Sequence, residues 1–292
     1  MSAAQGRDEA RGSKKLARLH RRARGRGVSR PLYSVMRGLL GPPMRVWFRM
    51  TVAGVEHVPR EGPAIIAPNH KSFLDGFFVA IAVRHRPVRF MAKAELFPGP
   101  LGWLFARLGA FPVRRGAADV EAIRTAQIIL EQGGLVVVFP EGTRVEDRDA
   151  LGSPRHGAGR LALDSGAPIV PTAIAGTGRL WLGPFAKPRR VHVTFVPAID
   201  TRQLAGQPDA LVELIDNRVW PAVQREYGNQ LARPGFVLTA LTALGLGAGL
   251  AARHHARAGT RLLGVVPPGN VRRRAERSRR LSRLRGLTAR RR

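Results

Sequence analysis

The chain of 292 residues carries 49 Lys and Arg against 20 Asp and Glu, a formal net charge of +29, and no cysteine. Its length suits one α/β domain of about 200 residues with appendages at both ends. The charge calls for an anionic partner, whether nucleic acid, a phosphate-bearing substrate, an acidic carrier protein or an anionic membrane, while the missing cysteine excludes a disulfide, a thiolate nucleophile and cysteine-ligated zinc.

Residues 1–30 are polar and basic without hydrophobic periodicity, which predicts a disordered arm able to lie on an anionic surface. They have no apolar core of the kind a signal peptide needs, so a cytoplasmic location is expected. In residues 31–50, Leu32, Val35, Met36, Leu39 and Leu40 share a helical stripe before Gly41, Pro42 and Pro43 break it, and a second apolar piece follows over 44–50. Arg37, Arg45 and Arg49 interrupt this stretch too often for a bilayer span. Aromatic residues beside arginines suit amphipathic helices at a membrane interface; a helical pair packed on the core is the competing account.

A central α/β domain is expected over residues 51–228. Its organising stretch is AIIAPNHKSFLDG at 64–76, where an apolar run reads as a buried strand that stops at Pro68 and gives way to a helical segment. His70 and Asp75 lie five apart, an offset that separates them on a continuous helix. At a strand-to-helix corner, however, Asp75 folds back onto the imidazole, fixes its tautomer and leaves the other ring nitrogen to take a proton from a hydroxyl. Without that function His70 is a turn residue and Asp75 a first-turn acid favoured by the helix dipole.

A strand is predicted over 88–91, with Lys93 at its end, where ligand contacts collect in α/β sheets. A short helix (101–108), a strand (110–113), the pair Arg114 and Arg115, and an amphipathic helix (117–132) follow. Residues 135–139, LVVVF, read as a strand buried on both faces and ended by Pro140. Glu141, Gly142, Thr143 and Arg144 thus sit in a loop at a strand's C-terminal end. Arg144 offers a fork of donors for phosphate, Gly142 lets backbone approach, and Glu141 can orient the arginine or accept from a hydroxyl. An ordinary turn with a surface ion pair competes with that reading. After the polar stretch VEDRDALGSPRHG come a helix (158–164) and strands at 168–176 and 191–196.

Four ordered stretches, Asn69-His70 with Asp75, GAFPVRR at 109–115, FPEGTR at 139–144 and IVPTAI at 169–174, together resemble the PlsC-type glycerolipid acyltransferases over roughly residues 45–225. The family includes 1-acyl-sn-glycerol-3-phosphate acyltransferases. The resemblance implies an α/β domain with a central sheet flanked by helices, working at an anionic membrane surface. It further implies transfer of an acyl group from a thioester, acyl-CoA or acyl carrier protein, to a lysophospholipid hydroxyl, with no metal or cofactor. By similarity His70 is the base and Asp75 its orienting partner; Arg115, Glu141 and Arg144, with Gly142 and Thr143 in the same loop, match the acceptor-binding positions. Lys93 is a further phosphate contact, and IVPTAI forms part of the wall and floor. The chain departs from the family in the long stretch after Arg144, where Arg155 or His156 would stand in for a customary lysine, and in its doubled arginine at 114–115.

Residues 235–252 are an uncharged run near the lower limit for a bilayer span, flanked equally by Arg233 and Arg253, so charge asymmetry gives no orientation. A span, a shallow interfacial helix and a buried helix all fit this composition, followed by a polybasic tail suited to anionic lipid. The competing function class is a nucleic-acid-binding protein. Against it, the charge lies mainly in the tails, aromatics are 6%, and no stacking motif is present, so no specific nucleic acid is expected. A serine hydrolase lacks its Gly-x-Ser-x-Gly elbow.

Overall fold

The computed structural model describes residues 3–114, 119–145, 147, 150–178, 180–182 and 185–232; the apolar run and polybasic tail expected at the C-terminus lie outside them from residue 233. In chain order the elements are α1 (Ala3–Gly25), α2 (Arg30–Trp47), β1 (Thr51–Ala53), β2 (Ala64–Pro68), α3 (Asp75–Ala82), β3 (Arg89–Lys93), α4 (Gly99–Arg107), β4 (Ala110–Val113), α5 (Val120–Glu131), β5 (Leu135–Val137) and α6 (Gly157–Ser165). They continue as β6 (Ile169–Ala175), a small hairpin of β7 (Trp181–Leu182) and β8 (Phe185–Ala186), β9 (His192–Phe195), and α7 (Ala210–Val212), which runs through a π-helical turn, Glu213–Val219, into α8 (Trp220–Ala232).

Seven strands form one sheet in the order β1-β9-β6-β2-β5-β3-β4. The five from β6 to β4 are mutually parallel, β9 runs antiparallel to β6, and β1 is parallel to β9. Parallel strands are covered on both faces by their crossover helices, which is why β2, β5 and β6 read as unbroken apolar runs. Alternation sorts their side chains into two cores. Ile66, Val137 and Ile174 pack with Phe48, Phe78 and Val79 on one face. Ile65, Val136 and Ile169 pack with Ile129, Leu161 and Ile215 on the other. Each such fully buried side chain contributes about 1.5–3 kcal/mol.

Because the five strands share one direction, their C-terminal ends share one edge. Residues 69–76 follow β2 there, Lys93 ends β3, Arg114 follows β4, and Glu141–Arg144 follow β5. Loops at this edge are where α/β sheets place ligands.

Two expectations fail at the N-terminus. The basic arm expected to be disordered is helical from Ala3 to Gly25. Its turns at Leu16, His20 and Ala23 face the protein; His20 Nδ1 lies 2.9 Å from Thr125 Oγ1 on α5, and Arg24 pairs with Glu121. That stripe is carried partly by polar side chains, so hydropathy does not reveal it. The expected break at Gly41-Pro42-Pro43 is also absent: α2 runs through both prolines. Each proline lacks an N–H and leaves the carbonyl four residues earlier unmatched. Those carbonyls belong to Gly38 and Leu39, which are exposed, so water can satisfy them. Among the described residues no helix is long and apolar enough to cross a membrane.

Candidate active site

The corner after β2 is fixed by side chains that bond backbone. Asn69 brackets Ile174 of β6, donating from Nδ2 to its carbonyl at 3.0 Å and accepting its N–H on Oδ1 at 2.7 Å. Asp75, the first residue of α3, is completely buried. Its Oδ2 accepts the Lys71 and Ser72 N–H groups at 2.7 and 2.6 Å and lies 3.0 Å from His70 Nδ1. A carboxylate only accepts, so Nδ1 carries the proton and Nε2 is left as an acceptor. The imidazole, 7% exposed, stacks on Phe139 with centroids 4.0 Å apart.

Glu141 lies behind His70. Its Oε2 accepts the His70 N–H at 2.6 Å and its Oε1 accepts the Gly152 N–H at 2.8 Å. Burial pushes this carboxyl above its usual range, opposed by those two N–H donors and by the charges of Lys71 and His70. Lys71 is buried too, and its Nζ donates to the carbonyls of Asp147 (2.7 Å) and Ala150. The His70 carbonyl accepts the Val145 N–H at 2.9 Å. The long stretch after Arg144 is thereby strapped to the His70 loop at several points.

In front of His70 opens a cavity of about 240 Å³. Met36, Phe73, Phe77, Phe105 and Leu108 line its apolar length, and His70, Lys93, Arg144 and Arg37 bring polar groups to it. Phe73, Phe77 and Phe105 form a ring cluster with centroids 5.8–6.5 Å apart. Phe78 and Phe111, by contrast, are buried in the two cores.

Of the residues expected to contact the acceptor, Lys93 and Arg144 line the cavity with His70. Thr143 is exposed and is not among its lining residues. Gly142 has φ +68, and a Cβ there would meet the Arg155 side chain at 3.1 Å, so Arg155 is held against this turn. His156 Nε2 instead meets Asp216 at 2.8 Å. Arg115 lies outside the described residues; the neighbouring Arg114 donates its N–H to Asp119 at 2.8 Å. Glu141 departs from its expected place, because both oxygens are committed to backbone N–H groups and neither turns to the cavity. No β6 residue of IVPTAI lines the cavity; through Ile174 the strand anchors Asn69 one layer behind.

Sequence reasoning missed Arg37, Phe105 and Leu108 as lining residues, and the bracing roles of Asn69 and Lys71. For Arg37 the signal was its offset of four from Tyr33, whose ring it overlies at 5.8 Å. For Lys71 there was none, since burial of a lysine beside a histidine is set by a loop far away in sequence.

Residues 49–175 match the family profile described as Acyltransferase. A chloroplastic 1-acyl-sn-glycerol-3-phosphate acyltransferase of Arabidopsis thaliana is 31% identical over 138 residues, 46% of this chain and 38% of that protein. The 1-acyl-sn-glycerol-3-phosphate acyltransferase of Streptococcus pneumoniae is 28% identical over 206 residues, 67% of this chain and 73% of that protein. The chain spans about two fifths of the length of the first curated relatives it matches. Among solved structures, the 1-acyl-sn-glycerophosphate acyltransferase PlsC of Thermotoga maritima superposes with a TM-score of 0.57 at 24% identity, over 70% of this chain and 81% of that one. Residues 49–175 thus match the acyltransferase family profile, and the chain shares the fold of the solved Thermotoga maritima PlsC structure.

Proposed function

We propose that this protein moves a fatty acyl group from an acyl thioester to the free hydroxyl of a lysophospholipid, 1-acyl-sn-glycerol-3-phosphate first among them, giving phosphatidic acid. The observation that carries this reading is the pairing of a buried carboxylate with His70 Nδ1 at the mouth of an apolar cavity that also receives Lys93 and Arg144. The names of the relatives supply the acceptor.

A thioester is already activated, so the protein has to deprotonate the hydroxyl, align it and stabilise charge. His70 Nε2 takes the hydroxyl proton as the oxygen attacks the thioester carbon. The C–O bond forms, the C–S bond breaks, and the proton passes to the departing thiolate. Asp75 stabilises the imidazolium in between, as in other histidine bases backed by a buried carboxylate. Arg144 and Lys93 hold the acceptor phosphate. The phenylalanine-lined length takes an acyl chain. Acyl-CoA and acyl carrier protein both present the same thioester, and the basic surface suits either donor.

The substrates are lipids, and we place the cavity mouth at an anionic membrane surface on the cytoplasmic side. Exposed apolar side chains on α2 and on α4, where Leu101 and Trp103 are turned outward, support that placement.

The test is acyl transfer to a panel of lysophospholipids from a long-chain acyl-CoA and from acyl carrier protein, with wild type and His70→Ala. Transfer to lysophosphatidate that disappears in a folded His70→Ala protein is the expected result. Undiminished transfer in the variant would remove His70 as the base, and transfer to another acceptor alone would remove lysophosphatidate.

A further inference from the structure

A second cavity, about 340 Å³, lies beside α2 and is lined by Ser34, Arg37, Gly38, Gly41, Pro42, Arg45, Ile81 and Arg84. Its composition differs from that of the apolar cavity in front of His70. Three arginines line it, and among the described residues none of the three is paired with a carboxylate. Two are held by carbonyls: Arg37 Nη1 donates to Arg84 O at 2.7 Å and Arg45 Nη2 to Ile81 O at 3.0 Å. Each therefore keeps further N–H donors free, and Arg84 contributes an exposed side chain. Partial burial and the Arg84 charge both push the Arg45 pKa below its usual value. Cations gathered without counter-charge repel one another until an anion arrives.

The helical period separates three faces of α2. Tyr33, Met36 and Leu40 turn to the apolar cavity. Arg37, Gly41 and Arg45, four apart, line the basic groove. Val35, Leu39 and Val46, exposed by 63, 66 and 78%, form an outward apolar stripe along the groove's other side, with Pro42 between them. A soluble phosphate would find the arginines but have no use for the stripe; a phospholipid uses both at once.

We infer that the groove between α2 and the end of α3 is a binding site for the phosphate of an anionic phospholipid, separate from the acceptor site at His70. Arg37, Arg45 and Arg84 bond the headgroup phosphate, and the lipid's acyl chains run along Val35, Leu39 and Val46 into the surrounding leaflet. Arg37 and Ile81 line both cavities, so an occupied groove sets α2 directly against the wall of the substrate cavity. This assignment rests on the membrane placement proposed above, but it is read by binding and needs no turnover.

The experiment is hydrogen–deuterium exchange on the full chain with dihexanoylphosphatidylglycerol, with dihexanoylphosphatidylcholine and with inorganic phosphate, each in separate samples. Because protection is read peptide by peptide, anion binding elsewhere in so basic a chain does not mask the result. Slowed exchange over residues 38–47 and 83–86 with phosphatidylglycerol, and much less with the other two, is expected. Arg45→Gln/Arg84→Gln should weaken that binding about tenfold or more, since hydrogen bonds from charged donors are the strong ones. Gly41→Leu, which keeps the net charge and places a side chain in the groove, should weaken it as well. Equal protection by phosphatidylcholine would overturn the site. Equal protection by inorganic phosphate would overturn the lipid assignment, and protection unchanged in both variants would overturn the groove.

Discussion

The two walls of the cavity in front of His70 are built on opposite plans. On the His70 side three polar side chains are tied to backbone. Asp75 Oδ2 takes two N–H groups besides the imidazole, Glu141 takes one from His70 and one from Gly152, and Asn69 brackets Ile174. On the α2 side apolar side chains face both the cavity and the outside, and the helix passes two prolines that weaken its own ladder. A base must be placed to within a fraction of an ångström, whereas a wall that receives fatty chains needs surface more than precision. Side-chain ties to backbone are concentrated around the proposed base.

The largest effect should come from Asp75→Ala, which attacks both functions of that carboxylate. Loss of the partner at Nδ1 should lower kcat by about 10²–10⁴-fold, the range for general acid–base groups. The same change orphans the buried N–H groups of Lys71 and Ser72, at about 1–3 kcal/mol each. His70→Ala should match the loss of activity with much less loss of stability. Denaturant unfolding of the two variants separates the cases, and equal stabilities would mean that Asp75 does not brace the loop.

Next in size is Arg89→Met, which tests how the N-terminal helix is held. Arg89 is buried at the start of β3, donates from Nη2 to Ala23 O at 2.7 Å and from Nε to Gly109 O at 3.2 Å, and is lowered to about 10 by burial and by Arg22. It remains charged at neutral pH and clips the C-terminal end of α1 to the sheet. Its loss should destabilise the protein by about 2 kcal/mol, visible as a lower Tm, with faster amide exchange concentrated in α1.

These first two cases also show what the sequence disclosed. The corner at 64–76 was legible because an apolar run, a proline and a histidine–aspartate pair at an offset of five leave few other geometries. The edge bearing Lys93 and Arg144 was legible because parallel strands align their C-terminal ends. The α1 helix was not, because His20, Arg24 and Arg89 carry its docking and hydropathy counts such residues as surface. Glu141 was placed in the right loop and given the wrong neighbours. A glutamate before Gly-Thr-Arg looks available to ligand until the His70 and Gly152 N–H groups, 71 and 11 residues away, are brought to it.

Glu141→Gln sharpens that point. A glutamine can accept on one oxygen only, so either His70 or Gly152 loses its partner. If Glu141 positions His70, kcat should fall about tenfold while KM for the acceptor holds; a raised KM with unchanged kcat would return Glu141 to the phosphate site. There is a pH signature as well. A carboxyl raised by burial keeps its proton in the folded state where the unfolded chain has released it, so stability falls as pH rises through the raised value. The glutamine does not titrate. The wild-type minus variant stability should therefore decline as pH rises above the ordinary carboxylate range, and a flat difference would mean that the Glu141 pKa is not raised.

The smallest effect on the fold should come from Leu39→Asp on the outward stripe of α2. Nothing packs against an exposed position of this kind, so stability should change by less than about 0.5 kcal/mol. Binding to vesicles is a different matter, because a carboxylate would be driven into the lipid boundary beside three arginines. Sedimentation with vesicles of phosphatidylcholine, with and without phosphatidylglycerol, should show weaker binding to both, since the stripe contacts lipid whatever its headgroup. Arg45→Gln/Arg84→Gln should weaken binding only where phosphatidylglycerol is present. If Leu39→Asp binds both vesicles as wild type does, α2 faces water, and the looser wall of the cavity needs a reason other than lipid.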